Sequence, residues 1–367
     1  MAKILAAIGW PVICGVLFAA LLLQLYPEKF GMVPREPQAN QVNSFANAVN
    51  LAAPSVVNIY TTKIVTGQKH PLADDPRFQQ YFERRRQSQP QRPQTSLGSG
   101  VIFDQRGYLL TNNHVIAGAD EILISLFDGR ETLAKIVGRD KETDLAVLKI
   151  DLDNLQPISF APTGAARVGD IVLAIGNPFG FGQTVTQGII SATGRFGLNI
   201  STYENYLQTD ADINPGNSGG ALVDASGKLL GINSAIFSRN GGSQGIGLAI
   251  PVDIAQYVMN DLIDYGKVTR GWLGVEVKQL LATAANKMKL PNSQGLVITG
   301  IYPTSPADSA GLESGDIIIS INGSDAGNGR TDSIVVARMI PGQEITVNVL
   351  RNQERISIPV LVGSRPQ

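Results

Sequence analysis

The chain has 367 residues, with 30 Lys and Arg against 31 Asp and Glu, which gives a net charge of −1. A near-neutral chain has no global basic field to hold nucleic acid, and the length suggests two domains with additional segments. The sequence contains one cysteine, Cys14, and two histidines, His70 and His114. These counts exclude an intrachain disulfide and a cysteine zinc cluster, and they leave two candidates for a catalytic histidine.

Residues 4–25 form an uncharged, almost wholly apolar segment. As a helix, the segment would extend about 33 Å, which suffices for a hydrocarbon core of about 30 Å. The apolar run is longer than that of a signal peptide and no clean cleavage motif follows, so we expect an uncleaved transmembrane anchor rather than a removed signal. Lys3 favours a cytoplasmic N-terminus, against the weaker opposing signal of Lys29 and Arg35. Residues 26–41 are rich in proline and polar residues and are predicted to be a tether.

Residues 42–265 carry the pattern of an all-β domain. Val42, Phe45 and Val49 recur at helical spacing and predict a short opening helix. Short apolar blocks separated by turn residues then follow, as in a barrel or sandwich. The blocks are 56–60, 100–103, 122–127, 134–138, 146–150, 171–175, 184–191, 221–223, 229–236 and 247–250. A helix is predicted near residues 254–263, and residues 265–270 have the composition of a linker.

Residues 62–96 interrupt this pattern, because they are polar and show no sustained apolar period. The segment is predicted to be a long flexible loop, and loops of this length are usually functional or disordered. Its run of three arginines, Arg84 to Arg86, is expected to be solvated. His70 lies in the same loop without a neighbouring structure to orient its ring. His114 is therefore the better candidate for a catalytic base.

A serine between glycines is the first sign of chemistry, in the segment GNSGG at 216–220. Glycine permits unusual backbone dihedrals. Such a turn can direct the N–H groups of Gly216, Asn217 and Ser218 towards one point, as an oxyanion hole requires. A plain surface turn is the alternative for this segment taken alone.

The serine needs a base and the base needs a carboxylate. His114 lies in LTNNHVI at 110–116, at the end of a predicted strand, and Asp144 directly precedes the apolar run LAVLK at 145–149. A carboxylate entering a core must have a partner. Asp140 and Asp151 compete for this role, but neither combines closeness to His114 with the start of the buried run. The order His, Asp, Ser is that of chymotrypsin-like proteases.

The segments around these residues resemble the HtrA family of serine proteases. The resemblance rests on GSGVI at 98–102, TNNHV at 111–115, TDLAVLK at 143–149, GNP at 176–178, GIIS at 188–191 and GNSGG at 216–220. It implies an all-β-dominated fold with two perpendicular β-barrels and the catalytic residues His114, Asp144 and Ser218 in the cleft between them. No cofactor and no metal are expected.

Two features bear on the choice of the cleaved residue. Asp212 lies six residues before Ser218, which by position alone suggests a trypsin-like pocket for Lys or Arg. The family resemblance instead implies a pocket built by Ile213 and by the segment that includes Ile236. We therefore expect cleavage after small or aliphatic residues such as Val or Ala.

Residues 271–363 resemble a PDZ domain, on the motifs GWLGV at 271–275, SPA at 305–307, AGL at 310–312, GDIII at 315–319 and ING at 321–323. The N–H groups of Leu273, Gly274 and Val275 would hold the terminal carboxylate of a peptide that adds a strand to the sheet. Side chains of a helix predicted at residues 332–339 would form the adjoining pocket. An accessory β-domain that serves only as a tether is the alternative.

An anchor, one protease domain and one PDZ domain resemble the DegS-type branch of the family. This resemblance implies a homotrimer on the periplasmic face of a bacterial inner membrane, assembled through Phe45 and the opening helix. Peptides from the C-termini of misfolded outer-membrane proteins would activate it, through loops that contain Phe179 and Arg195. The substrate would be a membrane-bound anti-sigma factor, whose first cut starts an envelope-stress response. General periplasmic quality control, or a PDZ receptor with vestigial proteolysis, are the alternatives.

Overall fold

The computed structural model describes residues 2–25, 44–64, 93–178, 182–198, 200–236, 244–288, 295–326 and 329–366. The chain divides into two units, Met1–Phe45 and Ala46–Gln367. In the first unit, helix α1 covers Ala2–Leu25, and the large side chains of Trp10, Leu17 and Phe18 on it are exposed. Across the described residues, no helix combines the length and the apolar character needed to cross a membrane.

The second unit opens with helix α2, Ala46–Ala52, and an antiparallel sheet. Its strands are β1 Val56–Ile64, β2 Pro93–Ile102, β3 Tyr108–Asn112, β4 Glu121–Ser125, β5 Glu131–Leu133, β6 Lys135–Asp140 and β7 Leu145–Lys149. They lie in the order β5-β4-β1-β2-β3-β7-β6. Ile59, Ile102, Leu109 and Leu148 are fully buried and fill its core. Branched and aliphatic side chains suit this pleated, buried surface.

A second set of antiparallel strands closes into a barrel. Its strands are β8 Ile171–Gly176, β9 Thr184–Arg195, β10 Tyr206–Thr209, β11 Ala221–Asp224, β12 Leu229–Ile236 and β13 Gly247–Pro251. They lie in the order β10-β13-β12-β11-β8-β9, and β9 pairs with β10 to complete the ring. Val172, Ala174 and Leu222 are wholly buried in its core. Closure leaves no unpaired strand edge in the barrel.

Helix α3, Val252–Tyr265, follows the barrel. Its buried face includes Val258 and Leu262 and packs against β6, β7 and β12, so the helix contacts both sheets. It ends at Gly266, whose φ of 70° is left-handed and whose N–H donates to the carbonyl of Leu262. Glycine carries no Cβ penalty in this conformation.

The C-terminal module has one main sheet with strands in the order β15-β16-β17-β19-β20 and a small β14–β21 pair. Its elements are β14 Gly271–Trp272, β15 Val275–Gln279, α4 Ala282–Lys287, β16 Leu296–Ile301, α5 Pro306–Ser309, β17 Ile317–Ile321, β18 Ser324–Asp325, α6 Gly329–Ala337, β19 Glu344–Arg351, β20 Glu354–Leu361 and β21 Gly363–Ser364. Leu273, Ile298, Val347 and Val360 lie in its core.

The β-rich protease and PDZ architecture is confirmed, with adjustments at particular elements. Strands β1 and β2 extend into both ends of the predicted 62–96 loop, and its interior, residues 65–92, lies outside the described residues. Strand β10 was not predicted, since its short polar sequence YLQT shows no clear alternation. Pairing with β9 and β13 makes it a strand, because barrel closure supplies partners that the local sequence does not indicate.

Candidate active site

His114 and Asp144 meet at one end of the β3–β7 ladder. Asn112 at the end of β3 pairs with Leu145 at the start of β7, so the residues just beyond each strand face one another. His114 Nδ1 lies 2.6 Å from Asp144 Oδ2, and the His114 backbone N–H donates to Oδ1 at 2.9 Å. One carboxylate thus holds both the ring and the backbone of His114, which fixes the imidazole orientation.

Asp144 has a left-handed backbone, with a φ of 59° that is uncommon for a residue other than glycine. Its carbonyl accepts the Asn113 N–H and the Asn112 side-chain Nδ2, each at 3.0 Å. Ser234 Oγ on β12 donates to Asp144 Oδ2 at 3.4 Å. Four residues from two sheets therefore hold the aspartate, and strain of this kind persists only where the surroundings over-determine it.

Ser218 lies in a turn whose glycines are under close steric control. Gly219 has a φ of 84°, and a Cβ there would clash with the Ser99 carbonyl and the Thr111 hydroxyl. Ser99 on β2 donates its N–H to the Ser218 carbonyl at 2.8 Å and its Oγ to the Gly216 carbonyl at 2.7 Å. A strand of the first sheet thereby fixes the serine turn of the second barrel.

The turn leaves two backbone donors available for an oxyanion. Among the described residues, the N–H groups of Gly216 and Ser218 have no hydrogen-bond acceptor. The Asn217 N–H donates to the Asn214 carbonyl at 3.0 Å. The prediction that Asn217 contributes a third donor is therefore wrong for this geometry, because its N–H closes the turn.

The hydrogen bonds among the described residues do not include one between the Ser218 hydroxyl and the His114 ring. Catalytic hydrogen bonds often tighten only when substrate is bound. Both side chains line the same cavity, so the two groups face a shared space.

That cavity has a volume of about 480 Å³ and an apolar as well as a polar wall. Its lining residues are His114, Asp144, Ile200, Ile213, Asn214, Pro215, Ser218 and Ser234. Ile213 lies where the family resemblance implied, whereas the side chain of Ile236 lies outside the described residues. Asp212 does not line the cavity; its carbonyl accepts Thr186 Oγ1 instead.

The sequence analysis missed Ile200, which belongs to a polar segment after β9. The nearby carboxylate of Glu204 accepts the Ile200 N–H at 2.7 Å and the Leu198 N–H at 2.8 Å. Burial alone would raise the pKa of Glu204, but backbone hydrogen bonds from this segment outweigh it and lower the pKa below its usual value. The signal available in the sequence was that Leu198 and Ile200 are two aliphatic residues within a polar stretch.

Tyr206 is buried and contacts this segment through Ser201. Its side chain is 1% exposed, and its hydroxyl lies 2.9 Å from Ser201 Oγ. Burial raises the pKa of Tyr206 to about 12. The phenol is therefore neutral at physiological pH and acts through hydrogen bonding and packing.

Of the two residues predicted to take part in activation, Phe179 and Arg195, the structure describes Arg195. Phe179 lies outside the described residues. The Arg195 Nε donates to Gln208 Oε1 at 2.7 Å, which joins β9 to β10. Arg195 therefore lies on the strand that leads directly into the Ile200 segment.

The PDZ module presents the expected loop before β15. The N–H groups of Leu273 and Gly274 have no acceptor within the described residues, and Gly274 has a φ of 80°. Val275 begins the strand that pairs with Ile301 of β16. Helix α6 contacts β15 on its other side. This loop and groove fit a peptide that ends in a free carboxylate.

Several contacts join Arg270, directly before the PDZ module, to the segment that carries Asp144. Arg270 lies 2.5 Å from Asp140 and 3.0 Å from Glu142, and the Arg270 and Asp140 side chains are both buried. The Arg270 guanidinium also lies over the Tyr203 ring, at 4.6 Å from its centroid. Residue 270 is thus part of a packed interface, although its composition resembled that of a linker.

The C-terminal strand extends this interface. Arg365, just after β21, donates to Glu142 Oε1 at 3.0 Å and to the Tyr203 hydroxyl at 2.8 Å. Tyr203 in turn donates its N–H to the Glu142 carbonyl at 2.9 Å. The interface therefore touches two segments, one ending in Asp144 and one containing Ile200.

Fold and site together define a class. The trypsin-like peptidase domain family matches residues 98–232 and the PDZ domain family matches residues 262–350. With a histidine–aspartate pair and a serine around one cavity, the molecule is a trypsin-like serine endopeptidase joined to a PDZ domain.

Comparison with known proteins narrows the class. The chain is 41% identical over 363 residues to serine endoprotease DegS of Escherichia coli strain K12, a match that covers 96% of each. It is also 41% identical to a probable periplasmic serine endoprotease DegP-like of Hahella chejuensis, covering 96% of this chain and 76% of that protein. A solved HtrA-type protease AlgW with tripeptide has 52% identity and a TM-score of 0.73, covering 88% of this chain and 98% of that one. The chain belongs to the HtrA family of serine proteases, in its DegS-type branch, and is a DegS-like periplasmic protease.

Proposed function

We propose that Ser218 is the nucleophile, that His114 is its general base and that Asp144 orients the imidazole. Ser218 attacks the peptide carbonyl while His114 takes its proton and then protonates the leaving amine. The free N–H groups of Gly216 and Ser218 stabilise the oxyanion that forms. The hydrogen bonds that hold Asp144 in place support this assignment.

We further propose a regulatory rather than a degradative role. Peptides from the C-termini of misfolded outer-membrane proteins bind the PDZ module and activate the protease, which makes the first cut in a transmembrane anti-sigma factor. The observation that carries this proposal is the set of ion pairs with Asp140 and Glu142, within four residues of Asp144, that Arg270 makes directly before the PDZ module and Arg365 makes directly after β21. These contacts connect the PDZ module, where the peptide would bind, with the segment that carries Asp144.

The binding end of this connection is the loop at Leu273 and Gly274, whose N–H groups lack acceptors in the described part of the chain. A terminal carboxylate supplies acceptors for such donors. Phe179 and Arg195 are proposed to respond to the occupied PDZ module. The Arg195–Gln208 hydrogen bond, next to the Ile200 segment, supports that role for Arg195.

Anchoring to the bacterial inner membrane and assembly as a homotrimer complete the proposal. Exposed Trp10, Leu17 and Phe18, on a helix whose residues 4–25 carry no charge, favour an apolar environment for α1. Leu51 on α2, 69% exposed, is a candidate contact with a second copy, together with Phe45.

We propose that cleavage follows small or aliphatic residues. The cavity wall contributed by Ile213 and Pro215 is apolar, and Asp212 is exposed and does not line the cavity. A Lys or Arg side chain of the substrate bound in this cavity would therefore lack a negative charge from Asp212 to pair with.

The test is cleavage of the periplasmic domain of a single-pass anti-sigma factor by the full-length protein in detergent. A peptide with a free C-terminal carboxylate should increase kcat/KM at least tenfold, and the same peptide amidated at its C-terminus should not. If the free-acid peptide, the amidated peptide and buffer alone all give the same rate, the regulatory proposal is contradicted. Residual cleavage by Ser218→Ala at the wild-type rate would remove the catalytic assignment.

A further inference from the structure

The apolar part of the cavity beside the catalytic residues comes from a few side chains that differ in exposure. Three of its lining residues are aliphatic or cyclic: Ile200, Ile213 and Pro215. Ile213 is 1% exposed, so its side chain is almost wholly covered by the barrel. Ile200 is 37% exposed and faces the cavity beside His114 and Asp144. A substrate side chain can therefore bury far more of Ile200 than of Ile213.

Exposed apolar surface in an enzyme cleft contributes to specificity only if it is held in place. The segment around Ile200 is held by the carboxylate of Glu204, which is 7% exposed and accepts two backbone N–H groups, one on each oxygen. Among the described residues, no lysine or arginine hydrogen-bonds or ion-pairs with this carboxylate. The Glu204 carboxylate therefore holds the backbone of the segment through these two hydrogen bonds.

Two further contacts tie the same segment to the barrel and to the neighbouring loop. Ser201 Oγ lies 2.9 Å from the Tyr206 hydroxyl, at the start of β10. The Tyr203 N–H donates to the Glu142 carbonyl. Both contacts follow Ile200 in the chain, and the Leu198 N–H before it is held by Glu204, so the segment is fixed on both sides of Ile200.

We propose that Ile200 is a specificity-determining residue that selects an aliphatic substrate side chain close to the scissile bond, and that Glu204 positions it. The partner is the substrate polypeptide, recognised at this subsite by apolar burial. Ile200 and Ile213 line the same cavity but come from segments on either side of β10, so a substitution at Ile200 leaves the Ile213 wall in place. Since an apolar contact discriminates by about tenfold or more, the preference is large enough to measure.

The experiment is substrate profiling of the full-length protein in detergent with a reporter-peptide library, at basal activity and again with a PDZ-binding peptide present. Wild type, Ile200→Thr and Ile200→Phe are compared. Thr keeps the branched shape but adds a hydroxyl, and Phe fills more of the cavity. We expect Ile200→Thr to lose about tenfold of the aliphatic-over-polar preference at one substrate position, and Ile200→Phe to shift that position towards smaller residues.

Ile189→Ala on β9 is the matched control, because Ile189 is 39% exposed but does not line the cavity. Its profile should equal that of wild type. Profiles of both Ile200 variants that superimpose on wild type at every position would overturn the proposal.

Glu204→Gln tests the positioning role. An amide can accept only one of the two N–H groups, since its nitrogen is a donor. We expect the same position to lose its aliphatic preference, with kcat on substrates lacking that side chain retained, and no additional loss in the Glu204→Gln/Ile200→Thr double variant. A uniform fall in cleavage with an unchanged profile would mean that Glu204 is merely structural and would overturn its part of the proposal.

Discussion

Gly219 and Gly129 have almost the same backbone conformation, with φ of 84° and 85°, in opposite surroundings. A Cβ at Gly129 would meet nothing within 4 Å, whereas one at Gly219 would clash with Ser99 and Thr111. Replacement by alanine would therefore strain the backbone at both positions. Only at Gly219 would the added Cβ also clash with atoms next to the serine turn.

We predict that Gly219→Ala abolishes peptide cleavage and labelling by a fluorophosphonate, because the turn must move away from β2 and lose the Ser99–Ser218 hydrogen bond. Gly129→Ala should retain wild-type kcat and lose about 1 kcal/mol of unfolding free energy. Measurements of labelling rate and of denaturant midpoint separate the two effects. Normal labelling of Gly219→Ala would show that the turn tolerates displacement.

At the scale of single elements, the PDZ module depends on a charged pair beneath β17 and β19. Arg351 donates to both carboxylate oxygens of Asp316, at 2.7 and 2.8 Å, and the Asp316 side chain is 1% exposed. Burial alone would raise the pKa of Asp316, but the Arg351 hydrogen bonds and the Glu313 N–H outweigh it and lower that pKa.

A lowered pKa sets the direction of the pH dependence. The stabilisation is complete above the unfolded pKa of about 3.9 and is lost as pH falls through the lower folded value. We predict that the PDZ module loses stability below about pH 4, and that Asp316→Asn removes this dependence and costs about 2 kcal/mol at pH 7.

Fluorescence of Trp272 reports unfolding of this module specifically when Trp10 is replaced by Phe, since the sequence contains two tryptophans. Glu354→Gln, at an exposed position of β20, is the control and should leave the profile unchanged. An acid transition that is identical in Asp316→Asn and the parent protein would contradict the assignment.

At the scale of the whole molecule, helix α6 of the PDZ module contacts helix α3 at its C-terminal end. The Tyr257 hydroxyl of α3 donates to the Thr269 carbonyl at 2.5 Å and lies 3.2 Å from the Ala337 carbonyl. Arg338 pairs with Asp253 of α3 at 2.8 Å. Burial raises the pKa of Tyr257 to about 12, so this donor is permanent at physiological pH. These contacts join α6 to a helix that packs on β7.

If the proposed activation uses this contact, Arg338→Ala should reduce peptide stimulation about fivefold, which corresponds to a coupling free energy of about 1 kcal/mol. Asp253→Ala should have the same effect, and the double variant should add nothing further. Arg355→Ala, exposed on β20, is the matched control. Strictly additive losses in the double variant would show that the two residues do not act as a pair.

The local sequence was informative wherever a residue's chemistry is set by its neighbours along the chain. The apolar run after Asp144 predicted a buried strand, and residues 145–148 of β7 are all buried. The rarity of histidine left His114 as the candidate base, and it lies against Asp144. The helix predicted at 254–263 forms over Val252–Tyr265, because its apolar face repeats at helical spacing.

Residues whose role depends on distant partners were not accessible in this way. Asp140 was a competitor for the catalytic aspartate until the structure placed it against Arg270, 130 residues away along the chain. Ile200 faces the cavity because Glu204 turns its backbone, and Asn217 uses its N–H to close a turn. Such pairings depend on which surfaces meet in the folded chain.

The sequence by itself determined the class of chemistry, the β-rich two-part architecture and the catalytic candidates, since these follow from periodicity and from the few residues able to serve as nucleophile and base. Only the tertiary structure decided which aspartate pairs with Arg270, which N–H groups lack an acceptor among the described residues and which isoleucines line the cavity. The physical reason is that strand pairing, barrel closure and buried ion pairs join segments tens to hundreds of residues apart, and local patterns carry no record of those partners.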